Sequence, residues 1–195
     1  MKHPSMQIII EEHAALSAML RSLSLMLKRG PEPNRDKFFE VLRAMLFYID
    51  EFPERLHHPK ESQLLFPPLL HRCPELASTV AHLEKDHARG EHRVRELQHM
   101  LLAWELLGDS RRNAFDKATQ EFLQFYLDHL RLEESVILPQ AQKSLSADEW
   151  MALDDAFTTN CDPLTGKYPP GQDYQGLFSR ITDNAPAPIG LGETS

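Results

Sequence analysis

The chain has 195 residues, 42% hydrophobic and 26% charged, ordinary for one domain with a tail and long enough to bury a sizeable core. Its formal net charge of −8, with no face that concentrates lysine and arginine, argues against nucleic acid as a partner. No apolar run approaches the ~20 residues that span a bilayer. Ten histidines stand against two cysteines, Cys73 and Cys161, in no CxxC pattern. Metal chemistry therefore turns toward imidazole and carboxylate, and both thiols are expected free in a reducing compartment. The opening MKHPSMQIIIEEH turns acidic too early for a secretory signal, so a cytoplasmic location is expected.

In chain order, Ile9, His13, Leu16, Leu20, Leu23 and Leu27 recur at three or four, predicting an amphipathic helix A from about Pro4-Ser5 to Lys28. Gly30-Pro31-Glu32-Pro33 breaks it. Helix B is predicted from about Arg35 toward Phe66, with Pro53 and Pro59 bending it where His57 sits. Pro67-Pro68 and Cys73-Pro74 frame a connector. Helix C follows from about Glu75 to Leu107, and helix D from about Ser110 to Gln142. Ser146-Ala147-Asp148-Glu149 reads as a capping box that opens a short fifth helix to about Phe157. Prolines and glycines in DPLTGKYPPG and NAPAPIGLG then end helical structure, while Tyr174, Leu177, Phe178 and Ile181 predict that part of the tail packs on the bundle. No segment alternates with period two. The fold predicted is all-α: an antiparallel up-down four-helix bundle over residues 1–145, with the short helix and irregular tail over 146–195.

Two of these helices carry the same fragment. HHPKESQLLFP and HLRLEESVILP align without a gap as His57/Glu61/Pro67 and His129/Glu133/Pro139. A His and a Glu four apart share one helical face, with Cβ atoms about 6 Å apart, so both can address one target such as a metal ion. The repeat extends upstream: Glu12-His13-Ala14 matches Asp86-His87-Ala88, and Ile9, Leu20, Leu23 and Leu27 match Leu83, Val94, Leu97 and Leu101. A duplicated helical hairpin is the simplest reading, each copy giving one His from its first helix and a His/Glu pair from its second. Turned inward at one depth, His13, His57, Glu61, His87, His129 and Glu133 form a four-His, two-Glu cluster in a dry core. Buried carboxylates are costly there unless paired or metal-bound. Two ions sharing Glu61 and Glu133 resolve that cost. The donor types suit iron, with manganese or zinc as substitutes.

This order of motifs, His on helix A, HxxxE on B, His on C and HxxxE on D, resembles the hemerythrin-like, or HHE cation-binding, proteins across roughly residues 8 to 142. The resemblance implies a non-haem di-iron site that binds, senses or scavenges dioxygen, peroxide or nitric oxide. The alternative is iron storage or handling without ligand turnover. Either way it implies a metal and small-ligand binding protein, with enzymatic activity left open and any sensing output passing through a protein partner or a homo-oligomer. Oxygen carriers of the family place a second His on helix C where this chain has Leu83, and use a longer His-to-acid spacing on helix D. One imidazole fewer predicts a more open, carboxylate-weighted site that favours ferric states and peroxide turnover over reversible carriage.

The bland readings fall elsewhere. His3, His58, His71, His82, His92 and His99 are read as surface or supporting residues, His58 having the best claim to support a ligand. Glu12 and Asp86 are read as solvated by default, with a supporting role to a ligand as the alternative, and Glu134 as solvated or supporting. Glu91 is on the right face to supply a missing ligand. Tyr48 and Tyr126 are read as core aromatics. Two ExxH matches, Glu54 to His57 and Glu84 to His87, look incidental beside the ferritin-like pattern, which needs partners this chain lacks.

Overall fold

The computed structural model describes residues 3–167 and 171–191. Six helices organise them: α1 (Pro4–Arg29), α2 (35–72), α3 (Ala77–Leu107), α4 (112–144), α5 (Ala147–Phe157) and α6 (Gln175–Asn184). The first four are the bundle, and among the described residues there is no strand. Gly30 (φ 78°) and Gly108 (φ 94°) end α1 and α3 in a left-handed conformation that a side chain would strain. Within the tail, the Pro169-Pro170 breaker lies outside the described residues. No described helix is long and apolar enough to cross a membrane.

α2 and α4 are not regular. Three stretches widen to π-helix: Asp50–His57 and Glu61–Leu65 in α2, and Glu133–Ile137 in α4. Each contains or closely precedes a proline: Pro53 lies in the first, and Pro67 and Pro139 stand two residues after the other two. A proline has no N–H for the carbonyl four residues back, and its ring crowds that carbonyl. Adding a residue to the turn relieves the crowding without breaking the helix, and such widened turns gather at functional sites. The bend anticipated at Pro53 and Pro59 is therefore spread through winding, and it sits where the His/Glu pairs are.

Two apolar cores lie on either side of this level. One joins the C-terminal half of α1 and the N-terminal half of α2 to α3, α4 and α6, with Trp104, Phe39, Phe115 and Phe122 nearly or fully buried. The other joins Ile8 and Ile9 of α1 to Leu65, Leu83 and Ile137, closed by Trp150, Leu153 and Phe157 of α5. Ser146 caps α5 as its sequence predicts: its hydroxyl accepts from Glu149 N, and the Glu149 carboxylate accepts from Ser146 N. Tail residues Phe178 and Ile181 are buried against the first core, with Tyr174 and Leu177 partly so. Between the cores lies a polar layer.

Candidate metal centre

The polar layer contains all six residues singled out from the repeat. His13, His57, Glu61, His87, His129 and Glu133 are each at most 8% exposed, and both glutamates are wholly buried. Their contacts divide into two sides. On one, His57 Nε2 lies 3.2 Å from Glu61 Oε1, His13 Nε2 lies 3.4 Å from Glu133 Oε2, and the two Nε2 atoms are 3.2 Å apart. On the other, His87 Nε2 is 3.6 Å from both Glu61 Oε2 and Glu133 Oε1, and His129 Nε2 is 3.3 Å from Glu133 Oε1. Each glutamate thus turns one oxygen to each side.

The second side holds a ring that the repeat hid. His58 is 4% exposed, stacks on His87 at 4.3 Å between centroids, and joins His87 and His129 in a group whose donor atoms all lie within 4.8 Å of one another. The expectation of one imidazole fewer is corrected: the layer contains five rings, the fifth from α2 rather than from Leu83 of α3. Glu91 is exposed and paired with Arg95 at 2.7 Å, so it is not in the layer.

What turns Nε2 inward in four of the five rings is a hydrogen-bond partner on the other nitrogen; neither nitrogen of His129 has one. His13 Nδ1 donates to Glu134 Oε1 (3.1 Å), His57 Nδ1 to Glu12 Oε2 (2.7 Å) and His58 Nδ1 to Glu54 Oε2 (3.0 Å). Ser62 Oγ gives its own hydrogen to Glu84 (3.1 Å) and so accepts from His87 Nδ1 (2.9 Å). His129 Nδ1 faces Asp86 Oδ2 at 3.8 Å. A carboxylate or hydroxyl acceptor at Nδ1 fixes the proton there and leaves the Nε2 lone pair for a metal. Glu12 and Asp86, read as solvated by default, are buried at 8% and 5%, and they face rings instead. The signal was present in the sequence: an acid precedes the histidine in both copies, and the residue after each paired Glu is polar.

The donor set fits a metal. Both oxygens of Glu61, both of Glu133, and Nε2 of His87 and of His129 have no hydrogen-bond partner although buried. Leaving such groups unmatched costs several kcal/mol per ion. The Nε2 lone pairs of His13 and His57, 3.2 Å apart, repel unless a proton or cation lies between them. Left to themselves the carboxylates draw protons onto the rings. Burial opposes the His57 cation, but Glu61 and Glu12 outweigh it and hold its pKa well above the usual range. Burial likewise opposes charge on His129, yet Glu133 and Asp86 raise it to about 10. His58 differs: burial, reinforced by His87 and His129, holds it well below and neutral. A bound cation would supply the same positive charge with better reach.

A cavity of about 10 Å³ lies beside the layer, bordered by His13 and His57 of the two-ring side, by His58 of the other, and by Glu12, Asn160 and Asp162. A larger surface cavity, about 650 Å³, is elsewhere, between α2, α3 and α6. The two guanidiniums that line it, Arg43 and Arg180, are already paired with Glu105 and Glu40. It has no unpaired charge to offer, and the smaller cavity is the one beside the chemistry.

No curated protein matches the chain. The sequence does match the hemerythrin HHE cation-binding domain over residues 5–141, the four bundle helices and the whole layer. The chain belongs to the hemerythrin HHE cation-binding family.

Proposed function

We propose that the protein holds two metal ions in this layer, iron with manganese or zinc as substitutes, and that it binds, senses or scavenges dioxygen, peroxide or nitric oxide. The observation that carries the reading is the division of Glu61 and Glu133, each with one oxygen toward His13 and His57 and one toward His87 and His129. Carboxylates set between two imidazole groups are suited to bridging two ions. His13 and His57 would complete one ion, and His58, His87 and His129 the other. Imidazole and carboxylate suit iron, which when bound supplies a redox-active centre for small oxygen and nitrogen ligands.

The residues of the chain govern access. With two rings rather than three, the His13/His57 side keeps more coordination positions free, and it adjoins the small cavity. At about 10 Å³ that space is at the lower limit for a single water. Leu16, Phe52, Pro53, Leu56 and Leu130 make its walls largely apolar, which keeps bulk water from competing.

Metal content and an absorption spectrum of anaerobically purified protein, repeated after exposure to air, test the reading. About two irons per chain are expected, with a charge-transfer band that grows in air and is lost in Glu61→Ala and Glu133→Ala. Iron or zinc without any response to air would support storage or handling instead. No metal, with both variants as stable as the parent, would remove the metal reading altogether.

A further inference from the structure

Part of the support for the layer comes from beyond the four-helix domain. α5 ends with Phe157, whose ring meets that of His57 edge-on at 5.4 Å. The chain then turns through Asn160, Cys161 and Asp162. Cys161 has φ 48°, the one non-glycine residue among those described with positive φ. Such backbone strain persists only where the surroundings over-determine it. Here the residues on either side are both buried and directed inward, while Cys161 itself is exposed.

Asn160 Nδ2 donates to Glu12 Oε2 at 2.9 Å, and that same oxygen accepts from His57 Nδ1 at 2.7 Å. Asn160 Oδ1 accepts from Lys60 Nζ, which also donates to Ala156 O (2.9 Å) and Thr159 Oγ1 (3.1 Å). Asp162 is fastened separately, by Tyr48 OH at 2.6 Å and Leu164 N at 2.9 Å. The other hairpin lacks this arrangement. Asp86, the counterpart of Glu12, pairs instead with His82 at 3.4 Å, whose side chain is 58% exposed.

We propose that Asn160 is a positioning residue for the His13/His57 half of the metal centre: through Glu12 it sets the ring of His57, so the segment after the bundle controls the hold on one of the two metals. The proposal rests on the two-metal reading. A carboxylate fixed by two donors is limited to one orientation, whereas Glu12 with His57 as its only donor could swing with the ring. The His58/His87/His129 half is out of reach of this effect.

Asn160→Asp is the discriminating change. It keeps the shape and the acceptor for Lys60, but it removes the donor and sets a second carboxylate against Glu12. Full-length parent and variant would be loaded with ferrous iron without oxygen, and iron release to a chromogenic chelator followed with time. In the variant, one iron per chain should leave about tenfold faster than in the parent, the low end of effects for residues that orient ligands. The second iron should leave at the parental rate. Parental release of both irons would overturn the proposal. So would equal acceleration of both, since that would make Asn160 a packing residue. A parent that binds no iron would overturn the two-metal reading as well, a result distinct from all of these.

Discussion

A β-carbon at Gly90 would stand 2.5 Å from the Tyr126 hydroxyl and 2.6 Å from Glu54 Oε1, so α3 needs glycine there. The space it leaves is what lets Glu54 reach His58. In the repeat Gly90 stands opposite Leu16, Glu54 opposite Tyr126, and His58 opposite Leu130. The two hairpins therefore differ at three linked positions, and the difference is one extra imidazole. Gly90→Ala should displace Glu54, destabilise the fold by about 1–3 kcal/mol as overpacking does, and loosen the metal on the three-ring side. Urea unfolding and metal stoichiometry would check both, and a variant with parental values in each would refute this account of Gly90. His58 was illegible in the sequence because it lies one residue off the repeated stripe and its counterpart is a leucine. The residues that give it away, Glu54 and Gly90, sit on two different helices and depart from the repeat themselves. His57, Glu61, His129 and Glu133 were legible for the opposite reason: two copies of one spacing leave little room for accident.

Among the elements, α5 shows most directly how sequence becomes structure. Ser-Ala-Asp-Glu predicts a reciprocal cap, and the cap is there. The backbone N–H of Ser146 holds the Glu149 carboxyl down to about 2 from 4.5, slight burial opposing it and Arg72 assisting. The folded state therefore gives up this proton more readily than the unfolded chain. Its contribution is fully present above pH 4.5 and is lost as pH falls through about 2. Ser146→Ala, which keeps the backbone N–H, should cost about 1 kcal/mol, whereas Glu149→Gln, which removes the titrating carboxyl, should flatten the acid dependence of stability over that window. Urea midpoints of metal-free protein at several pH values would measure both, and an unchanged pH slope would count against the cap as its source. α2 and α4 were less legible. Their prolines announce an irregularity, but whether a helix kinks or widens depends on what packs around it. Here two cores grip each helix on either side of the layer, and the misfit is taken up as π turns between them.

For the whole molecule, the division into two cores and a polar layer makes stability depend on what fills the layer. Four carboxylate oxygens without partners oppose the folding of the metal-free chain, and metal at 100 to 1,000 times its dissociation constant should add about 3–4 kcal/mol. Thermal unfolding with and without chelator is expected to show a clear drop in midpoint. Equal midpoints would mean that the layer does not select a cation. The bundle and its repeat were readable from hydrophobic spacing, whereas the docking of the tail was readable only as a few apolar residues. The contacts of Asn160 and Asp162 join residues more than a hundred positions apart, which no local pattern announces. The supports of the rings also have a mechanical side. Glu12 of α1 holds a ring of α2, Ser62 of α2 one of α3 and Glu134 of α4 one of α1, while Asp86 of α3 faces one of α4. Three of these are hydrogen bonds and run from helix to helix as an open hoop around the bundle. The fourth pair, Asp86 and His129 at 3.8 Å, is beyond hydrogen-bond reach, so the hoop has its gap between α3 and α4. The helices thus keep their register before any ion arrives, and a pull along the bundle should part them first at that seam.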